Sequence, residues 1–136
     1  MEEDVFRISP DFPRAKDLIA IAKDRIEIIK ILPKDKVYKI IEEYYEIILE
    51  LITAIMYCDG YKTLSHKSAI EYLSGKYNEV NEKQIGLIDS LRKSRHGIVY
   101  YGKMITKEFL INNEADIKKV IEILTKTAQN KVNGKD

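Results

Sequence analysis

Val37-Tyr-Lys-Ile-Ile-Glu-Glu-Tyr-Tyr-Glu-Ile-Ile-Leu-Glu-Leu-Ile-Thr-Ala-Ile55 decides the fold class. Within it Val37, Ile40, Ile41, Tyr44, Ile47, Ile48, Leu51, Ile52 and Ile55 recur at the three- and four-residue spacing that puts side chains on one side of an α-helix. Tyr38, Tyr45, Leu49 and Met56 add a second row, so the apolar face is wider than one neighbouring helix can cover. That width leaves two readings open, a central helix buried on several sides or a helix that also meets a second copy of the chain. Asp59-Gly60 supplies the C-terminal stop.

Outward from this helix the pattern stays helical. On the N-terminal side, Pro10 and Pro13 precede a row of Leu18, Ile21, Ala22, Ile28, Ile29 and Leu32, broken at Arg25 and ended by Pro33. On the C-terminal side, Thr63 or Ser65 offers an N-cap for a short helix carrying Ala69, Ile70 and Leu73 and closing at Gly75. Asn81 caps a fourth helix with Ile85, Ile88 and Leu91, expected to run to His96. A last helix is expected from about Asn113, with Ile117, Val120, Ile121 and Leu124 inward. The expectation is an all-α, up-and-down bundle of four to five helices. It forms a single domain over residues 1–136, with its core at about 12–128 and a fraying polar tail at 129–136.

Composition narrows the setting. The 136 residues are enough for a core of their own, and 45% hydrophobic and 33% charged residues with six Gly and three Pro suit a compact helical chain. One cysteine, Cys58, excludes a disulfide within the monomer and a cysteine-rich zinc site, which points to a reducing, cytoplasmic compartment. Cys58 itself reads as a small core residue. No apolar run is long enough to span a bilayer, and the acidic start is unlike a signal peptide, so the mature chain is expected to be the whole chain and no membrane association is expected. A net charge of +1 gives no global field toward nucleic acid, so such binding needs a local patch.

One segment offers that patch: Leu91-Arg-Lys-Ser-Arg-His-Gly-Ile-Val-Tyr-Tyr-Gly102. Arg92 and Arg95 continue the helical row begun by Ile85 and Ile88, which aims two guanidinium groups at a groove. Buried there, they need carboxylates or phosphates, which planar guanidinium forks bind in pairs of hydrogen bonds. Between Arg92 and Lys107 there are five basic residues, Arg92, Lys93, Arg95, Lys103 and Lys107, and no acidic one, with His96, Tyr100 and Tyr101 interleaved. The combination suits phosphate and stacked bases. Glu42, Glu43, Glu46 and Glu50 of the second helix are the alternative partners, which would make the arginines purely structural. With His66 the only other histidine, no metal site is expected, nor any cofactor, since no phosphate loop, dinucleotide fingerprint or zinc-protease motif occurs. His66 reads as a helix-start residue.

Two stretches together resemble HEPN domains. Ile55-Met-Tyr-Cys-Asp-Gly-Tyr-Lys-Thr-Leu-Ser-His-Lys-Ser-Ala-Ile-Glu-Tyr-Leu73 is similar to the middle of that family, and Leu91 to Gly102 is similar to its arginine and histidine signature. The resemblance follows helix order over about residues 10 to 128. It implies a helical bundle, a homodimer pairing the two arginine motifs across a cleft, and either metal-independent ribonuclease activity or non-catalytic binding of RNA or a nucleotide. It also implies, as a partner in a toxin-antitoxin pair, a small nucleotidyltransferase.

Carried over by position, Arg95 is the motif arginine and His96 stands where the family often has Asn. The family's histidine would fall at positions 100 to 102, which hold Tyr100, Tyr101 and Gly102. From Arg92, His96 follows after three residues rather than four to six. Metal-free RNA cleavage needs a group that titrates near neutrality, and tyrosine with an ordinary pKa of about 10 is a poor base. The resulting expectation is an RNA- or nucleotide-binding module, non-catalytic or weakly catalytic. Arg92, Lys93, Arg95, Tyr101 and Lys103 bind the ligand, and Arg95, His96 and Tyr100 are the candidates for any catalysis. A ribonuclease using Arg95 and His96, and a helical scaffold without a nucleic-acid role, are the alternatives.

Overall fold

A computed structural model describes residues 4–134. These residues form five helices: α1 (Phe12–Ile31), α2 (Val37–Asp59), α3 (His66–Lys76), α4 (Glu82–Tyr101) and α5 (Lys107–Val132). The all-α bundle expected from the periodicity is the fold. It carries one addition, an antiparallel ribbon of β1 (Val5–Arg7) and β2 (Tyr61–Thr63) in which Phe6 faces Lys62. No helix among the described residues is long and apolar enough to cross a membrane.

α2 is the centre, touching α1, α3, α4 and α5. Its first row is buried throughout, and in the second row Tyr45 and Met56 are fully buried within this one chain, Leu49 is half-buried and Tyr38 is exposed. The wide face is therefore consumed mainly inside the bundle. At its end Gly60 adopts φ +86°, and a Cβ there would lie 2.9 Å from the Ile8 carbonyl oxygen. Glycine permits both the left-handed turn and the close approach. The Ile8 amide donates to the Gly60 carbonyl at 2.9 Å, joining the N-terminal segment to the ribbon.

Several boundaries differ from the sequence reading. α1 starts at Phe12, capped by the Asp11 side chain, with Pro13 in its first turn. Its buried residues are Ala15, Ile19, Ala22 and Ile29, while Ile21 and Ile28 are exposed, so the inward face is rotated from the row that the apolar spacing predicts. Gly75 lies inside α3, which continues to Lys76. Asn81 caps α4 in a reciprocal box with Gln84, as its position suggested, but α4 passes Gly97 and stops at Gly102, φ +63°. α5 starts at Lys107, capped by Thr106, a full turn and more before Asn113.

The tail also departs from expectation, since residues 129–132 are the last turn of α5. Lys131 is held 2.9 Å from Asp59 Oδ1, while Tyr72 Oη donates to Asp59 Oδ2 at 2.6 Å and Tyr77 Oη donates to the same oxygen. One carboxylate at the end of α2 thus ties down α3, the loop after it and the end of α5.

Arg25 accounts for the interruption in the α1 row. Its Nε donates to Glu50 Oε1 at 3.0 Å and its Nη1 to Glu43 Oε1 at 3.1 Å, so one guanidinium bridges two glutamates of α2. Two of the four α2 glutamates available to Arg92 and Arg95 are therefore engaged elsewhere.

Candidate anion and nucleotide site

Three elements meet at a cavity of about 240 Å³. α2 contributes Tyr45; the start of α3 contributes Ser65, His66 and Lys67; α4 contributes Arg92, Arg95, His96 and Tyr100. The α4 residues share a face because they stand at intervals of three and four along the helix. Continuation of α4 past Gly97 brings Tyr100 into the set. No lining residue is a carboxylate.

Each arginine is held by one acid at its inner nitrogen. Arg92 Nε donates to Asp89 Oδ1 at 2.9 Å, one turn earlier on the same helix. Arg95 Nε lies 3.0 Å from Glu46 Oε1, an ion-pair contact without hydrogen-bond alignment, and its guanidinium carbon is 5.9 Å from the Tyr45 ring centre. Among the described residues the terminal nitrogens of both arginines have no hydrogen-bond partner. Only Glu46, of the α2 glutamates, serves the site. Both guanidinium side chains retain access to water, 25% for Arg92 and 29% for Arg95. Although burial pulls the other way, hydrogen bonds from Arg92 and Lys93 hold the Asp89 carboxyl below its usual range.

Tyr45 is 1% exposed and its hydroxyl has no hydrogen-bond partner. Burial pushes that hydroxyl up to about 12, with the Arg92 and Arg95 charges acting in the opposite direction. His66, the first residue of α3, packs its ring 5.8 Å from that of Tyr45. Desolvation and the charges of Arg95 and Arg92 lower the His66 pKa, against the opposing pull of Glu46. At the rim, the His96 and Tyr100 rings meet at 4.6 Å with their planes tilted by 42°, and Tyr100 is 66% exposed.

Of the residues singled out from sequence, Arg92, Arg95, His96 and Tyr100 come together, while Lys93, Tyr101 and Lys103 do not line the cavity. Lys93 pairs with Asp89 at 3.2 Å, Tyr101 meets the His96 ring edge-on at 5.7 Å, and Lys103 folds against Gly97, donating its amide to the Gly97 carbonyl at 3.1 Å. Sequence reasoning missed Tyr45, treated only as packing, and His66, treated only as a helix start. The available signal was Ser65, whose cap to the Ser68 amide puts His66 and Lys67 in the first turn of α3.

A larger concavity of about 670 Å³ lies between α1 and α5. Its deep polar group is already satisfied, because Tyr44 Oη donates to Glu114 Oε2 at 2.7 Å. Its lining mixes lysines with Glu114 and Glu122, whereas the smaller cavity has no carboxylate in its lining. No protein-family model matches the chain, and no curated protein is significantly similar to it.

Proposed function

We propose that the cavity between α2, α3 and α4 binds the phosphate and base of RNA or a nucleotide, in a module resembling HEPN domains. The observation that carries this reading is a cavity with no carboxylate in its lining, lined by Lys67, Arg92, Arg95 and two histidines, with an exposed tyrosine packed against one of them. Guanidinium groups anchored at Nε and open at their terminal nitrogens suit phosphate oxygens, and Tyr100 suits a base. Cytoplasmic location fits the chain's single cysteine.

Val99, Tyr100, Tyr101 and Met104 are exposed apolar residues around the end of α4. They support a homodimer that brings two such cavities together, and a nucleotidyltransferase-type protein is a second candidate for the same surface. The binding reading is tested by NMR titration with a short single-stranded RNA. Shifts confined to the imidazoles of His66 and His96 and the ring of Tyr100 support it, and an unchanged spectrum at low salt contradicts it.

Two histidines at one cavity favour metal-independent ribonuclease activity as a second reading. In it Arg95→Ala and His96→Ala each abolish cleavage without unfolding the chain, and cleavage survives a chelator. Retained cleavage in either variant excludes this mechanism.

A further inference from the structure

We infer that the cavity receives a terminal phosphate, the phosphomonoester of a mononucleotide or of an RNA end, with the Tyr45 hydroxyl and the start of α3 among its donors. This rests on the phosphate-binding reading above and narrows it.

The first observation is the orphaned hydroxyl. Buried tyrosines ordinarily place the O–H against a partner, and an unsatisfied buried polar group is costly. Tyr45 has none, although its side chain is 1% exposed and lines the cavity beside Arg92 and Arg95. A ligand oxygen there removes the deficit.

The second observation is independent of the first. α3 has 11 residues, and its first turn opens on the same cavity through Ser65, His66 and Lys67. The Ser65 side chain satisfies the Ser68 amide, leaving the His66 and Lys67 amides with no acceptor among the described residues. Free amides at a helix N-terminus, with the helix dipole behind them, favour an anion. Lys67 adds a cation with no carboxylate partner among the described residues.

Donors from three elements suit a group with three unesterified oxygens and a charge near −2, which a phosphomonoester has and a chain-internal phosphodiester lacks. Size agrees with this. A cavity of about 240 Å³ falls below the roughly 300–1,000 Å³ of sites that bury most of a drug-sized ligand, so part of a bound nucleotide stays outside it. The base remains outside, where Tyr100 is exposed at the rim.

The test compares one short RNA sequence with hydroxyl ends, with a 5′-phosphate and with a 3′-phosphate, alongside a nucleoside and its monophosphate, by calorimetry on the full chain. At least one phosphorylated ligand is expected to bind about tenfold or more tighter than its hydroxyl counterpart, tenfold being the scale of one charge-assisted hydrogen bond. Preference confined to the monophosphate assigns a free nucleotide, and preference for a phosphorylated oligomer assigns an RNA end. In Tyr45→Phe that preference ratio falls toward one, with a melting temperature no lower than the wild type's certifying the fold. Equal affinity for phosphorylated and hydroxyl ligands, or an unchanged ratio in Tyr45→Phe, overturns the inference while leaving phosphate-and-base binding intact. No binding of any of these ligands overturns both.

Discussion

Arg95 Nε sits 3.0 Å from Glu46 Oε1, whereas Arg25 spans Glu43 and Glu50 with separate nitrogens at 3.1 and 3.0 Å. The two arginines meet the same helix with different results. Arg25 uses both edges of its guanidinium on carboxylates that are nearly buried, at 7% and 15% side-chain exposure. Arg95 uses one nitrogen and keeps its outer edge open.

Arg25→Ala leaves the partly buried Glu50 without its partner and the buried Glu43 with Lys39 alone at 3.5 Å, and is expected to cost about 2–4 kcal/mol, below the top of the range for buried pairs because Arg25 itself is 30% exposed. Arg95→Ala breaks a single contact to Glu46, whose carboxylate is 25% exposed against 7% for Glu43, and is expected to cost about 1 kcal/mol or less. Urea unfolding of the two variants measures the difference. Equal losses would make Arg95 a structural residue like Arg25.

Adjacent tyrosines on α2 give opposite expectations. Tyr44 Oη donates to the Glu114 carboxylate at 2.7 Å, so Tyr44→Phe is expected to destabilise by about 1.5–3 kcal/mol. Tyr45 Oη has no partner, so Tyr45→Phe without ligand is expected to be neutral or slightly stabilising. Thermal melts of both variants check this, and a loss in Tyr45→Phe as large as that in Tyr44→Phe contradicts the orphaned hydroxyl.

His66 carries the pH dependence of the site. Burial and then Arg95 lower its pKa below 6.5, with Glu46 raising it and Arg92 lowering it further. A histidine depressed in the folded state contributes stability that is present above pH 6.5 and is lost as pH falls through 6.5 toward the folded pKa. Imidazole NMR titration is expected to place His66 below 6.5, to move it upward in Arg95→Gln and downward in Glu46→Gln. A His66 pKa at or above 6.5 in the wild type would contradict the geometry.

How much of this could be read from sequence varies by element. The α2 stripe was legible because its apolar spacing is nearly unbroken, and the Asn81 cap because Gln84 stands three residues on. The end of α4 is not legible at His96, because Gly97 reads as a breaker but lies inside the helix with Lys103 packed against it; the left-handed stop is Gly102. The β1 and β2 strands have three residues each, too short for periodicity to register. Within the site, Arg92 and Arg95 followed from helical phase. Tyr45 and His66 did not, because their meeting depends on how α2 and α3 pack, which no local spacing encodes.

The central claim, that Arg95 holds phosphate, is tested most directly by the salt dependence of RNA binding in the wild type and in Arg95→Ala, followed by fluorescence anisotropy. Wild-type affinity is expected to fall with rising salt, and Arg95→Ala to bind about tenfold or more weakly, with a salt slope smaller by about 0.7, the value for one lost contact to a single strand. Identical affinity and slope in the two proteins would contradict the account.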